Sequence, residues 1–385
     1  MSEKIKQHKF IVLCSDHYNP LGVVRSLGEV GIKPIVILIA NHGKPSLIVK
    51  SKYPDKIHIV GSTNEGLDYL LNEYGHEKYK PFVYSCSDDV CEILDMNYNI
   101  LIDKFYFFHG KKQGIVSKYL NKSNINELAI KCGCNVLKNE VVLKGEKPNN
   151  LRYPVLTKAL TSTLYAWKDE MHICNNEEEL LDCFNEIRSE KILVQEFIKK
   201  KNELCLDGFS FNEGKNVYIP YFSSYLRFSD LSYGAYMELK PFEKGEIYKQ
   251  ICSILQEVGY TGIFEVEFLI DDNDNKWFLE VNFRNSTWSY AYTYGGYNMP
   301  YLWAMASING SIDIDEKNRL SRFTAMAELE DYEMAVKYGK LSLSEWVDDF
   351  YKADVHYFYN EKDRKPFSIN KFILKKKIKK LLGRK

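Results

Sequence analysis

Short apolar runs alternate with amphipathic segments through the first 115 residues. The runs are "KFIVLCS", "KPIVILIA" and "PFVYSCS", and a segment with helical spacing follows each of them. In the first helix we expect Asn19 as the N-cap, Pro20 in the first turn and Gly31 just past the end. This βαβ order predicts an α/β domain, a small parallel sheet covered by helices.

Polar residues follow the first and third of these strands, in the loops "SDHYN" and "SCSDD". Open α/β sheets bind ligands at the carboxyl ends of their strands. The candidates for substrate contacts in these loops are Asp16, Asn19, Ser87 and Asp88. Capping of the helix that follows is an equally good reading of each. No GxGxxG turn is present in the sequence, so a nicotinamide-binding domain is not supported.

The pattern changes from mixed elements to strands in the middle of the chain. Residues 116–195 contain the helix "NKSNINELAIKCG", the lysine-bearing strand "YPVLTKAL" and the helix "NNEEELLDCFNEIRSE". The strands "KILVQEFI", "ELCLDGFSF" and "NVYIPYFSSYLRF" follow, and then the helix "KGEIYKQICSILQEVG". We predict four parts, which are residues 1–117, 118–191, 192–310 and an extension at 311–385.

Residues 262–286, "GIFEVEFLIDDNDNKWFLEVNFRNS", place charged groups in two apolar strands. Because "DDNDN" is a turn signal, the strands should pair as an antiparallel hairpin. The pairing brings Glu267 near Glu280, and Asn282 shares the face of Glu280. Like charges opposite each other destabilise a sheet unless a cation lies between them. Carboxylate and amide oxygens suit Mg²⁺, which predicts a metal site; a solvated polar face is the alternative.

Residues near the hairpin indicate an anion beside the metal and exclude one type of calcium site. Arg284 follows Asn282 by two positions and would direct a planar guanidinium at an anion beside the metal. A calcium loop that starts at Asp271 is excluded, because Lys276 stands where glycine is required.

The composition is that of a globular protein. Of 385 residues, 45% are hydrophobic and 27% are charged, and the formal net charge is +0, so no global field for nucleic acid is present. The nine cysteines form no CxxC pair, which indicates reduced thiols, and "CGC" alone is weak evidence for a metal. No run reaches roughly 18 apolar residues, and the N-terminus lacks a secretory pattern. We therefore expect a cytoplasmic protein that binds no nucleic acid.

In their order along the chain, these motifs resemble those of the ATP-grasp superfamily, which includes biotin carboxylase and D-alanine ligase. "EVEFLID…FLEVNFR" resembles its metal hairpin, "NKSNINELAIKCG" and "YPVLTKAL" its lysine-bearing segments, and "VQEFIKKKNELCLDG" the segment that grips adenine and ribose. The resemblance covers about residues 8–310 and implies a small pre-ATP-grasp domain before a two-lobed, α+β ATP-grasp fold. "LGVVRSLGEVGIKPIVI" and "YGGYNMPYLWAMASING" resemble the carboxylate–amine ligase group that includes D-aspartate ligases.

The resemblance also implies roles for individual residues. The ligands of Mg²⁺, or of Mn²⁺ as the alternative, would be Glu267, Glu280 and Asn282. The ATP-binding residues would be Lys122, Lys158, Lys168, Glu196, Phe197, Ile198 and Glu203. Arg284 would hold the reacting carboxylate, and Arg227 would approach the γ-phosphate. The loop after Lys158 contains no glycine, unlike the phosphate flap of many members, so the resemblance implies no particular lid geometry.

The implied reaction is ATP-dependent joining of a carboxylate to an amine through an acyl phosphate, with release of ADP and phosphate. One alternative is another ATP-grasp chemistry, such as a small-molecule kinase or a C–O or C–S ligase. A second alternative is a nucleotide-binding protein without catalysis. A homodimer would be in keeping with the superfamily.

The C-terminus, "NKFILKKKIKKLLGRK", places apolar residues on one helical arc with lysines around the rest. The arc consists of Leu374, Ile378, Leu381 and Leu382. A basic amphipathic end at residues 369–385 would bind an anionic membrane surface or an acidic partner, and a solubilising tail is the alternative. Membrane contact would suit an enzyme acting on precursors of the cell envelope or of surface polysaccharides, with small-molecule or glycan-linked carboxylate and amine substrates.

Overall fold

A parallel sheet forms the N-terminal part of the computed structural model, which describes residues 4–40, 46–160, 170–229, 232–314, 319–339 and 341–368. Its elements are β1 (Phe10–Ser15), α1 (Tyr18–Glu29), β2 (Ile35–Ile39), β3 (Lys56–Val60), α2 (Thr63–Tyr74), β4 (Phe82–Ser85), α3 (Asp88–Met96) and α4 (Tyr98–Leu101). The strand order is β3-β2-β1-β4, with parallel neighbours throughout the described part. The predicted parallel sheet is therefore confirmed.

Two local features of this sheet differ from the expectation. The hydrophobic pattern does not predict β3, because at the sheet edge its Lys56 and Ile59 are exposed and no apolar run results. The expected N-cap Asn19 is wrong, since His17 caps α1 by accepting the Asn19 backbone N–H at its Nδ1 (3.2 Å). Gly31 follows the helix in the left-handed region (φ +81°), as expected where a side chain would be strained.

An antiparallel sheet with its own apolar core comes next, and we call it the lid sheet. The elements of this region are α5 (Ile115–Leu120), α6 (Lys122–Lys131), β5 (Asn139–Leu143), β6 (Val155–Lys158), β7 (Ile173–Cys174), α7 (Glu177–Cys183) and β8 (Lys191–Glu196). The described strands lie in the order β5-β8-β6-β7. The core under the sheet includes Val142, Val155, Leu180, Phe184, Ile192 and Val194. Because this core is separate from that of the rest of the molecule, the lid sheet packs as a unit of its own.

A large mixed sheet occupies the remainder of the chain. Its elements are β9 (Asn202–Phe211), β10 (Asn216–Tyr218), β11 (Tyr221–Ser229), β12 (Ser232–Pro241), α8 (Glu246–Val258), β13 (Gly262–Ile270), β14 (Lys276–Asn282), α9 (Ser289–Tyr294), α10 (Met299–Asn309), β15 (Phe323–Met326), α11 (Glu328–Tyr332), α12 (Leu343–Lys352) and β16 (Val355–His356). The order is β14-β13-β9-β11-β12-β15-β16, with β10 paired to β9. The expected hairpin is β13–β14, at one edge of this sheet.

Apolar packing joins the large sheet to the N-terminal sheet. Trp303 of α10 packs edge-on against Phe82, Tyr84 and Phe108, with ring centroids 5.6, 5.5 and 4.8 Å away. The C-terminal extension belongs to the large sheet, because its strands β15 and β16 form one edge of that sheet. In the part of the chain that the structure describes, no helix is both long and apolar enough to cross a membrane.

Candidate active site

The acidic hairpin, as we call β13 and β14, brings carboxyl groups together across three strands. Glu267 lies directly opposite Glu280, and Glu265 lies opposite Asn282. The predicted antiparallel pairing of the two strands is therefore confirmed. On its other edge β13 pairs with β9, which sets Asp207 opposite Glu265. Acidic residues thus form two neighbouring rows across the sheet.

The carboxyl groups of the hairpin disfavour one another's charge. Burial, and then the neighbouring Asp207, raise the pKa of Glu265 well above its usual value. Burial, and then the carboxyl groups of Glu265 and Glu280, raise the pKa of Glu267. The pKa of Glu280 is lowered instead, chiefly by the ammonium group of Lys122. A cation at this point would relieve the repulsion, and the oxygens of Glu267, Glu280 and Asn282 are the hard donors that fit Mg²⁺.

Two lysines approach Glu280 from separate parts of the chain. Lys122 begins α6, and its Nζ lies 2.9 Å from Glu280 Oε2. Asn121 caps this helix, with its Oδ1 accepting two first-turn backbone N–H groups at 3.0 and 3.3 Å. Lys158 ends β6, where burial and the charge of Lys122 lower its pKa to about 8. The pair of ammonium groups provides a positive site of the kind that phosphate groups bind.

Arg284 approaches the hairpin from the end of β14. Its Nε donates to Asp88 Oδ1 at 2.6 Å, and its Nη2 donates to Asn282 Oδ1 at 3.1 Å. Burial opposes the charge, but Asp88 and Glu265 raise the pKa of Arg284, so the guanidinium remains a cation. Asp88 begins α3 in the N-terminal domain, so this ion pair attaches that domain to the hairpin.

The other N-terminal candidates, Asn19, Ser87 and Asp16, differ in their hydrogen-bond partners. Asn19 is buried and bridges to Asn285 through two bonds, from its Nδ2 to the Asn285 carbonyl (2.9 Å) and from Asn285 Nδ2 to its Oδ1 (2.6 Å). Ser87 stands at the N-cap of α3 and makes no capping bond through its side chain. Asp16 instead accepts from Ser46 Oγ at 2.7 Å and from the backbone N–H groups of Leu47 and Ile48, in the segment that follows β2. Asn19 and Asp88 therefore contact residues that follow β14, whereas Asp16 ties its loop to the segment after β2.

Candidates for adenine contacts lie where β8 leaves the lid sheet. The Oε1 atom of Glu196 accepts the backbone N–H of Arg152 at 3.1 Å. The backbone N–H of Phe197 donates to the Pro154 carbonyl at 2.8 Å, so this donor is already engaged. Ile198 follows directly in the chain. The adenine role of these residues stays a prediction.

Glu203, the candidate for ribose, lies on β9 beside the acidic hairpin. It is buried and forms an ion pair with Lys200 at 2.6 Å. One of its carboxylate oxygens is within 4.8 Å of Cys205 Sγ and of a Glu267 oxygen. Burial raises the pKa of Glu203, although Lys200 opposes the shift. The nucleotide candidates and the metal candidates are therefore neighbours.

The two remaining candidates are Arg227, which has partners away from the hairpin, and Lys168. The guanidinium of Arg227 is engaged by two carboxylates of the C-terminal extension, Asp331 through Nε and Nη2 (2.9 and 2.7 Å) and Asp349 through Nη1 (2.7 Å). Its role at the γ-phosphate stays a prediction. Lys168 lies outside the residues that the structure describes.

Asp207 is a site residue that the sequence reasoning missed. It is fully buried beside the hydroxyl groups of Ser286 and Tyr292, and burial raises its pKa to about 7. The signal was available, because Asp207 shares strand parity with Glu203 and therefore its sheet face. An isolated aspartate in an apolar strand gave no reason to prefer that interpretation.

Comparison with known proteins shows the fold. No family model and no curated protein sequence matches the chain. N5-carboxyaminoimidazole synthetase from Staphylococcus aureus is similar in structure, with a TM-score of 0.64 and 14% identity over 86% of this chain and 85% of that chain. L-amino acid ligase from Bacillus licheniformis gives 0.59 and 13% over 78% and 74%.

A third similar structure is the biotin carboxylase domain of Hydrogenobacter thermophilus 2-oxoglutarate carboxylase, solved with MgADP and bicarbonate. It gives a TM-score of 0.61 and 18% identity over 82% of this chain and 73% of that chain. At these identities the likeness establishes the fold alone. The chain has the ATP-grasp fold, as the sequence motifs led us to expect.

Proposed function

We propose that this protein is an ATP-dependent ligase that joins a carboxylate to an amine through an acyl phosphate. The observation that carries the proposal is the convergence on one acidic hairpin. Lys122 contacts Glu280 from one side (2.9 Å), and Arg284 contacts Asn282 from the other (3.1 Å). Two cations therefore contact the same set of hard oxygen donors, an ammonium suited to phosphate and a guanidinium suited to a carboxylate.

The hairpin residues would hold the metal of a metal–nucleotide complex. Mg²⁺ at Glu267, Glu280 and Asn282 would neutralise charge on the phosphates, and Mn²⁺ would be accepted by the same oxygens. Lys122 and Lys158 would bind phosphate oxygens. Because the two ammonium groups repel each other in the free protein, an anion bound between them would be stabilised by relief of that repulsion. Glu196, Phe197, Ile198 and Glu203 would contact the nucleoside. Lys200 would keep Glu203 ionised and so able to accept ribose hydroxyls.

Arg284 would orient the reacting carboxylate, with Asp88 fixing the guanidinium through its Nε. A carboxylate oxygen attacks the γ-phosphorus of ATP, the bond to the β,γ-bridging oxygen breaks, and ADP leaves. The amine then attacks the acyl carbon, phosphate leaves, and the amine loses a proton as the amide forms. Positioning and electrostatics supply the acceleration, and no nucleophile of the protein is required.

The sequence resemblance to the group with D-aspartate ligases makes amino acids the first carboxylate substrates to test, and the similar structure of an L-amino acid ligase is in keeping with that choice. All nine cysteines are free thiols, which favours a reducing compartment such as the cytoplasm. The basic residues 369–385 would then bind an anionic membrane and bring the enzyme to precursors of the cell envelope. A homodimer remains part of this proposal.

The test is formation of hydroxamate, because hydroxylamine is an amine that traps acyl phosphates of any acid. ATP, Mg²⁺ and hydroxylamine are supplied with panels of amino acids and uronic acids, and hydroxamate, ADP and phosphate are measured. We expect equal amounts of all three with at least one acid, none with Glu280→Gln, and full activity with the exposed control Glu257→Gln. Formation of ADP without phosphate would indicate a kinase instead.

A further inference from the structure

The side-chain amide of Asn282 lies between hydrogen-bond acceptors on one side and a hydrogen-bond donor on the other. Its Nδ2 donates to Glu265 Oε2 and Glu267 Oε1, both at 3.1 Å, and lies 3.4 Å from Glu280 Oε1. Its Oδ1 accepts from Arg284 Nη2 at 3.1 Å. Asn282 is buried, so both ends of the amide depend on these protein partners.

Two of the partners favour this orientation. The guanidinium of Arg284 only donates hydrogen bonds, and the carboxylate of Glu280, whose pKa is lowered by Lys122, accepts them. The reverse orientation would set the amide oxygen against the carboxylates and the NH₂ group against Arg284. A cation among the carboxylates would favour the opposite orientation of the amide, because it binds the oxygen of Asn282 and not the NH₂ group.

We propose that Asn282 couples the metal site to the carboxylate site by turning over its amide. The inference rests on the proposed function. With the cation held, Asn282 directs Oδ1 to it and gives up its bond with Arg284. One N–H of Arg284 Nη2 thereby becomes available to the carboxylate substrate.

Asp88 allows this release without loss of position. Its bond to Arg284 Nε at 2.6 Å is independent of Asn282 and holds the guanidinium in place. The Nη1 atom also donates to the Asn285 carbonyl at 3.4 Å. Asp88 is therefore a positioning residue, and the amide of Asn282 is the element with two states.

Reciprocity follows from thermodynamic linkage. If the metal frees Arg284, then Arg284 in its bonded state must oppose binding of the metal by the same factor. Removing the donor at Nη2 while keeping the positive charge should therefore strengthen metal binding. Arg284→Lys makes that change, because lysine keeps the charge beside Asp88 and loses the planar fork.

The experiment measures free Mn²⁺ by electron paramagnetic resonance as Mn²⁺ is added with ADP. We expect Arg284→Lys to bind Mn²⁺ about tenfold more tightly than the wild type, the size expected for one hydrogen bond to a charged group. The exposed control Arg322→Lys should match the wild type. In an Asn282→Asp background, where both ends of the side chain are oxygens, Arg284→Lys should change the affinity less than about twofold.

Each outcome decides between the two hypotheses. Unchanged or weaker Mn²⁺ binding by a cooperatively folding Arg284→Lys protein would overturn the coupling and leave the metal site intact. No Mn²⁺ binding by the wild type would overturn the proposed function as well. If Arg284→Lys does not fold, the side-chain ¹⁵N signals of Asn282 in the wild type replace it, with a change on adding Mg²⁺ and ADP expected and constancy contradicting the coupling.

Discussion

Two buried groups of charges in this molecule differ in how completely their hydrogen bonds are satisfied. The first, which we call the clasp, consists of Arg25, Glu328 and Asp363. Arg25 donates to the Tyr357 and Phe358 carbonyls (2.6 and 3.0 Å) and to Asp363 Oδ2 (3.2 Å). Glu328 accepts three successive backbone N–H groups at 3.1, 3.0 and 2.8 Å. The clasp thus attaches the C-terminal segment to α1.

The acidic hairpin is the second group, and there acids face acids. Glu267 opposes Glu280 and Asp207 opposes Glu265, while the amide of Asn282 donates to Glu265 and Glu267. Burial raises the pKa of Glu328 in the clasp to about 7 as well, so a shifted pKa alone does not separate the two groups. The difference is that donors surround the carboxylates of the clasp, whereas the cations beside the hairpin contact Glu280 and Asn282 and leave Glu267 and Glu265 opposite other acids or an amide. The first arrangement serves stability, and the second suits a cationic ligand.

Breaking the clasp should have the largest effect on stability. Arg25→Met leaves Asp363 buried without its cation, so we expect a loss of about 3–5 kcal/mol in the free energy of unfolding, measured with urea. Lys131→Met, which removes an exposed ion pair, should change the free energy of unfolding far less than Arg25→Met does. Nucleotide binding per folded molecule should be unchanged in both variants. Loss of binding by folded Arg25→Met would contradict the separation of roles.

Removing the charge of an acid in the hairpin region should raise the free energy of unfolding, whereas breaking the clasp lowers it. The pKa of Asp207 in the folded protein, about 7, lies above its usual value of 3.8, so its contribution to stability is lost as the pH rises from about 4 to about 7. Asp207→Asn should therefore be more stable than the wild type at pH 8, by up to about 4 kcal/mol, and similar to it near pH 4. The exposed control Asp103→Asn should show no such dependence. Destabilisation at pH 8 would refute the account of the acids.

The charge of Lys158 should appear in the pH dependence of ADP binding. Because its pKa in the free protein is about 8, Lys158 loses its charge above that pH. We expect affinity for ADP to fall about tenfold between pH 7 and pH 9. Lys158→Arg stays charged over this range and should give a flat profile by calorimetry. Equal pH dependence in both proteins would exclude contact of Lys158 with phosphate.

The smallest effect concerns the cap that sets Lys122 in place. Asn121→Ala removes the acceptor for two backbone N–H groups, which should lower the free energy of unfolding by about 1 kcal/mol. Asn121→Asp should restore that stability, because it keeps the acceptor and adds a favourable charge at the helix N-terminus. A thermal or urea melt of the three proteins measures the order. A cap that contributes nothing would leave all three equal.

Local periodicity was sufficient where neighbours in sequence decide the structure. Alternation along residues 262–286 predicted an antiparallel hairpin with Glu267 near Glu280. The exact opposition of the two residues depends on a register shift between Glu267 and Phe268, which the alternation does not predict. The parallel sheet followed from apolar runs in the same way. The apolar pattern did not predict strand β3, because this edge strand has an exposed Lys56 and contains no continuous apolar run.

Partners distant in sequence were beyond such reasoning. The two aspartates that engage Arg227 lie 104 and 122 residues away, and no local pattern connects them. Asp88 could be read as a substrate contact or as a cap, and only the folded chain brings it to Arg284. Residue type also failed to predict the start of α1, because its N-cap is His17, which is not among the residues that usually cap helices.

The most direct test of the central claim is the Mg²⁺ dependence of ADP binding, measured by calorimetry for the wild type, Glu280→Gln and the exposed control Glu257→Gln. If a cation held by the acidic hairpin joins the nucleotide to the protein, Mg²⁺ should strengthen ADP binding at least about tenfold in the wild type and the control. The strengthening should disappear in Glu280→Gln, which should still unfold cooperatively. Equal Mg²⁺ dependence in all three proteins would contradict the account.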